Sequence, residues 1–136
     1  MSEAWTGSKK QKAALREKYG GRCAYCGEML TKMHADHLQP IVRITTDPWG
    51  RPLSAEDRKM LSPERNIVSN MMPSCAPCNL NKGGFSLDGW RELLSRSAAI
   101  VAREKSIFRA AVRFGLIEVK DQPVVFYFER NQEPCP

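Results

Sequence analysis

The chain has 136 residues, 42% hydrophobic and 26% charged, a balance that fits one globular domain; no apolar run approaches membrane-spanning length, and the basic residues are spread along the chain rather than gathered in a basic tail. Lys and Arg total 21 against 15 Asp and Glu, a net charge of +6, which suits a polyanionic partner such as nucleic acid or, more blandly, a solvated basic surface. "MSEAWTGSKK" shows no apolar leader, so the expected setting is the cytoplasm of a bacterium or of a phage-infected cell, away from membranes.

In chain order, residues 8–22 read as a basic helix. Ser8 caps it, Ala13, Ala14 and Leu15 favour it, and Gly20-Gly21 end it, while Lys9, Lys12 and Arg16 line it. "GRCAYCGEM" follows, a tight turn with Gly27 behind the second thiol. "HADHLQP" fits one strand of a small hairpin, with "RNIVSN" as its return strand. Between them, 42–64 reads as an insertion holding Pro48, Pro52 and Pro63, with a helical turn begun by Ser54. "PSCAPCNLNKGG" gives a second thiol turn that enters a short helix ended by Gly83-Gly84. From Leu87 the apolar residues Leu87, Trp90, Leu94, Ala98 and Val101 recur at helical spacing. Ser106 opens a further helix ended by Gly115, and "LIEVK" with "VVFYFER" predicts a β-hairpin whose aromatics belong to the core.

The cysteines are more telling than the elements. Cys23-x-x-Cys26 and Cys75-x-x-Cys78 have the pairing of a four-thiolate zinc site, and a closed shell of that kind is structural because no position is left for substrate. A thiol redox pair is the competing reading; two pairs flanked by glycine or asparagine speak against it. Cys135 stands apart as a free thiol.

Both histidines of the chain, His34 and His37, lie beside Asp36, inside the loop closed by these cysteines. In order, "GGRCAYCG", "ADHLQPI", "ERNIV" and "CAPCNLNKGG" resemble the HNH endonuclease family over roughly residues 15–84. The tail "RFGLIEVKDQPVVFYFE" is similar to that of small phage and prophage members. The resemblance implies an α+β fold: a ββα-metal, treble-clef-like core over 23–84, stapled by the four-cysteine zinc site. The basic helix, a helical extension and a terminal hairpin over 86–130 would flank it in one domain, 1–136.

The resemblance also assigns roles. His37 activates a water, a task suited to a side chain that exchanges protons near neutral pH. Asp36 and Asn79 offer hard oxygen ligands to one catalytic Mg2+ or Mn2+, and Asn66 orients the histidine. Lys82 holds a phosphate, with Arg43 and Arg65 as further candidates for that task. His34 has no counterpart in the motif. Singly, Asp36 could cap a turn, Asn66 could be a loop residue and Asn79 could cap a helix.

The implied activity is hydrolysis of DNA, nicking or double-stranded, leaving 5′-phosphate and 3′-hydroxyl ends. With little chain outside the core, contacts are expected mainly on phosphates, and sequence specificity would be low or supplied by another protein; the chain itself would act as monomer or homodimer. A zinc-stabilised module that binds nucleic acid without cutting it is the alternative, and a thiol-based sensor is a third.

Overall fold

A computed structural model describes residues 3–130; Cys135 lies outside them. The chain is mixed α+β, and its core forms where the first thiol turn meets the C-terminal segment. Cys23, Ala24, Tyr25, Leu30, Met72, Trp90 and Phe126 are buried together. Trp90 stacks on Phe126 with ring centroids 4.9 Å apart and meets Tyr25 edge-on at 5.1 Å. Its indole N–H donates to Asn81 Oδ1 at 2.7 Å, so the one polar atom of the ring is satisfied in the interior. An aromatic so placed contributes about 3–5 kcal/mol relative to alanine.

Helix α1 (Lys9–Glu17) starts where expected, with the Ser8 hydroxyl accepting from the Gln11 amide at 3.2 Å. It turns Leu15 and Gln11 inward and packs against strand β4 (Met71–Ser74). β4 pairs antiparallel with β1 (His34–His37), setting Asp36 opposite Met72 and His37 opposite Met71.

The return strand is therefore 71–74, and not "RNIVSN". Pro63 starts a 3-10 turn at Pro63–Arg65, and Val68–Asn70 forms a second, so the backbone of that stretch bonds to itself. Pro73 is tolerated in β4 because this sheet has two strands, leaving the side without an N–H unpaired. Its carbonyl instead accepts from the Ala24 amide at 2.8 Å, joining the sheet to the thiol turn.

The 42–64 segment folds as strands β2 (Val42–Ile44) and β3 (Lys59–Leu61), paired antiparallel. Ser54 begins only a turn, closed by its hydroxyl on Asp57 Oδ2 at 2.7 Å. Helix α2 (Ala76–Lys82) follows β4, with Cys75 as N-cap, Pro77 in its first turn and Gly83 as C-cap. The long apolar period breaks at Arg96 into α3 (Leu87–Ser95) and α4 (Ser97–Glu104), and α5 (Ser106–Arg113) packs on α4.

The expected terminal hairpin is not formed. No strand occupies 116–126, and Tyr127–Arg130 make a helical turn, α6. The cause is competition for backbone donors. Tyr127 and Phe128 give their amides to the Tyr25 and Ala24 carbonyls at 2.9 and 2.8 Å. Arg91 holds the Val124 carbonyl and both Glu129 carboxylate oxygens. Gly27 makes room for this docking: at φ 82°, a Cβ there would lie 2.7 Å from the Tyr127 ring. Among the described residues no helix is long and apolar enough to cross a membrane.

Candidate metal centre and adjoining polar cleft

The sulfurs of Cys23, Cys26, Cys75 and Cys78 all lie within 4.8 Å of one another, with Cys26 and Cys75 at 3.8 Å. A tetrahedral ion with zinc–sulfur bonds of about 2.3 Å spaces its ligands by about 3.8 Å, so the set could hold one metal ion such as zinc. Electrostatics agree. A hydrogen bond from Cys78 holds the Cys23 thiol far down, the same contact pushes Cys78 up, and burial raises Cys26 to about 11. The protein alone thus favours the thiolate of Cys23 over those of Cys26 and Cys78; a dication held by the set would favour the ionised form of its ligands.

Tyr25, between the first two cysteines, reaches Asp36. Its hydroxyl donates to Asp36 Oδ2 at 2.6 Å. Burial first, then the Asp36 charge, raise the phenol above its ordinary range, so it stays a donor. The Lys82 ammonium meets the same Oδ2 at 3.0 Å and also donates to the His37 carbonyl at 2.9 Å. Lys82 has no exposed surface. The expectation that it holds a phosphate is therefore corrected: helix α2 ends by turning this residue under β1, where its charge is spent on Asp36. Asp36 Oδ1 has no protein partner among the described residues, and no buried side-chain oxygen is left unpaired. That oxygen is therefore reachable from solvent.

His37 Nε2 lies 2.9 Å from Asn66 Oδ1. The amide of Asn66 is itself fixed, because Nδ2 donates to the Trp5 carbonyl at 3.4 Å while the Asn66 carbonyl accepts from the Trp5 amide at 3.0 Å. A carbonyl can only accept, so Nδ2 faces Trp5 and Oδ1 faces the imidazole. In neutral His37 the proton then sits on Nε2 and the lone pair on Nδ1. Gln11 secures this arrangement from behind: its buried side chain accepts from the Thr6 and Gly7 amides and donates to the Ala4 carbonyl.

Asp36, His37, Arg43 and Asn79 line one polar depression of about 300 Å3, with Gly83 and Gly84 at its edge. Asn79 is held in the interior of α2 with Cys75 as N-cap, which removes the capping alternative. Larger depressions of about 670 and 600 Å3 lie beside Leu94, Val124 and Val125, but no histidine or acidic residue lines them.

The other predicted residues fall elsewhere. Arg65 donates to the Pro40 carbonyl at 2.9 Å and ties the loop after β1 to the first 3-10 turn. Arg16 donates to the Leu30 carbonyl at 3.2 Å. Lys9 and Lys12 are exposed on α1 and do not line the depression. His34 is half-buried opposite Ser74. Sequence reasoning missed Tyr25, Trp5 and Gln11; only Tyr25, an aromatic between two ligands, carried a local signal. Compared with protein-family models, curated proteins and solved structures, the chain matches none.

Proposed function

We propose that this protein is a metal-dependent DNA endonuclease of the HNH type, with a structural zinc on its four cysteines and one catalytic Mg2+ or Mn2+. The observation that carries the reading is the His37–Asn66 bond at 2.9 Å beside Asp36 and Asn79 in one depression. Two elements far apart in sequence present an oriented base next to two hard oxygen donors.

The chemistry follows from what each group can do. With Nε2–H given to Asn66 Oδ1, His37 Nδ1 is the atom that accepts a proton from water. Asn66 stabilises the imidazolium that results, and Trp5 keeps the amide from turning. Tyr25 and Lys82 hold Asp36 by one oxygen, which leaves Oδ1 toward the cleft. The donor set of Asp36 Oδ1 and the Asn79 amide oxygen suits a small, oxygen-seeking dication. Such an ion, when bound, neutralises phosphate charge and the departing 3′ oxygen. Arg43, exposed at the rim, would engage a flanking phosphate.

The test is conversion of supercoiled plasmid to nicked and linear forms in Mg2+, in Mn2+ and in EDTA, with wild type and His37→Ala side by side. Cutting that needs the metal and is lost in His37→Ala is expected. Absence of cutting by a folded, zinc-loaded wild type that still binds DNA would favour a non-catalytic zinc module.

A further inference from the structure

We infer that the hairpin tip at 47–51 is a DNA-engaging probe that stacks Trp49 on an unpaired base of the substrate strand. The inference rests on the nuclease reading for its partner and on separate observations for its mechanism. Beyond β2 the chain runs out as a narrower hairpin, with the Leu53 amide on the Thr45 carbonyl at 2.8 Å and a bridge between Thr46 and Pro52. Its tip is built around one carboxylate. Asp47 Oδ1 accepts from the Trp49 and Arg51 amides, both at 2.9 Å, and Oδ2 accepts from Arg51 Nε at 2.7 Å. Gly50 supplies the left-handed corner, at φ 83°.

This closed turn does not hide its largest side chain. Trp49 is 78% exposed, although tryptophan is ordinarily among the more buried residues. The Arg51 guanidinium lies 5.3 Å from the ring centroid, covering one face with a cation and leaving the other open. A flat ring backed by an arginine is suited to a nucleobase, since stacking needs only a π-face and the charge answers the adjoining phosphate. Location favours the same partner. The hairpin springs from the rim of the cleft, where Ile41 and Arg43 form part of the lining. From Arg43 to Trp49 the chain can reach at most roughly 20 Å, a span of about six nucleotides along one strand. Arg58 and Lys59 are exposed on the returning limb.

Oligonucleotide binding by His37→Ala protein, measured by fluorescence anisotropy in Mg2+, tests this with three probes: a single strand, a perfect duplex and a duplex carrying a bulged base. Trp49→Ala should weaken the single-stranded and bulged probes by about tenfold or more and the duplex much less, while Trp49→Phe restores most of the loss. Unchanged melting and zinc content would show the variants intact. Quenching of tryptophan emission by the bulged probe should be much larger in the Trp49 protein than in Trp49→Phe, because Trp90 is buried and Trp5 is half-buried. Trp49→Ala that binds every probe as tightly as the parent His37→Ala protein overturns the inference and leaves the nuclease standing if wild type cuts plasmid. Trp49-dependent binding without any cutting keeps the probe and removes the nuclease. No binding to any DNA overturns both.

Discussion

The Lys82 ammonium, with none of its surface exposed, sits 3.0 Å from Oδ2 of Asp36. It is the buried cation beneath the cleft, and it fixes the carboxylate together with the hydroxyl of Tyr25. Breaking such a pair on one side strands a charge in the interior. Lys82→Ala should therefore lower stability by about 3–5 kcal/mol, measured by urea unfolding. Tyr25→Phe removes one hydrogen bond and should cost about 1–2 kcal/mol. A stability of Lys82→Ala equal to that of wild type would show that the pair is not formed.

Orientation of the imidazole is open to a similar test. Asn66→Ala removes the acceptor at Nε2, lets His37 adopt either tautomer, and should reduce metal-dependent cutting by about 10–100-fold, whereas His37→Ala should lose on the order of 100–10,000-fold. His34→Ala should keep near wild-type activity, since His34 does not line the cleft. Nicking rates for the three proteins, each checked by circular dichroism, give the ranking; a dead His34→Ala would move the base to the other histidine.

Removal of the structural ion should unfold the thiol turns and everything docked on them. One zinc per chain is expected by elemental analysis, and a strong chelator at neutral pH should lower the melting temperature sharply because metal affinity is folding free energy here. Cys78→Ser should do the same without chelator. A protein that melts identically with and without zinc would dismiss the site.

The Arg91–Glu129 pair, at 2.6 Å, sets a pH dependence. Hydrogen bonding by Arg91 holds the Glu129 carboxyl below its ordinary value of 4.5. A depressed carboxylate contributes stability that is fully present above 4.5 and lost as pH falls through the lowered folded value. Melting temperature should thus fall between about pH 5 and 3 by more in wild type than in Glu129→Gln. Parallel curves would show that the pair contributes nothing measurable.

Gln11 offers a test at a distance from the cleft. Gln11→Ala leaves the Thr6 and Gly7 amides without their acceptor and should cost about 1–3 kcal/mol. Because this segment braces Asn66, the variant should also cut more slowly at saturating metal, at a temperature where both proteins are fully folded. Rates equal to wild type there would confine Gln11 to folding.

Much of the local structure was legible because its causes are local. Ser8, Gly83 and the two C-x-x-C turns impose their geometry within a few residues, and Trp90 marks the buried face of its helix. The misassigned pieces were decided by partners far along the chain. "RNIVSN" looks like a strand, yet the strand is the buried Met71-Met72-Pro73-Ser74, whose side chains show no alternation because both faces are covered. "VVFYFER" has strand-forming residues, but the thiol turn claims its amides. Lys82 reads as an exposed helix-end cation until β1 is laid over it.

The bond between Asn66 and Trp5 joins positions 61 residues apart, and the gathering of Cys23 and Cys26 with Cys75 and Cys78 adds a second long closure. In time, this means that the site is late. As the chain emerges from the ribosome, His37 is made long before Asn66 and Asn79, and the segment that braces Asn66 must wait for it. No growing chain shorter than about eighty residues holds the complete set, because Asn79 directly follows the last of the four cysteines, Cys78.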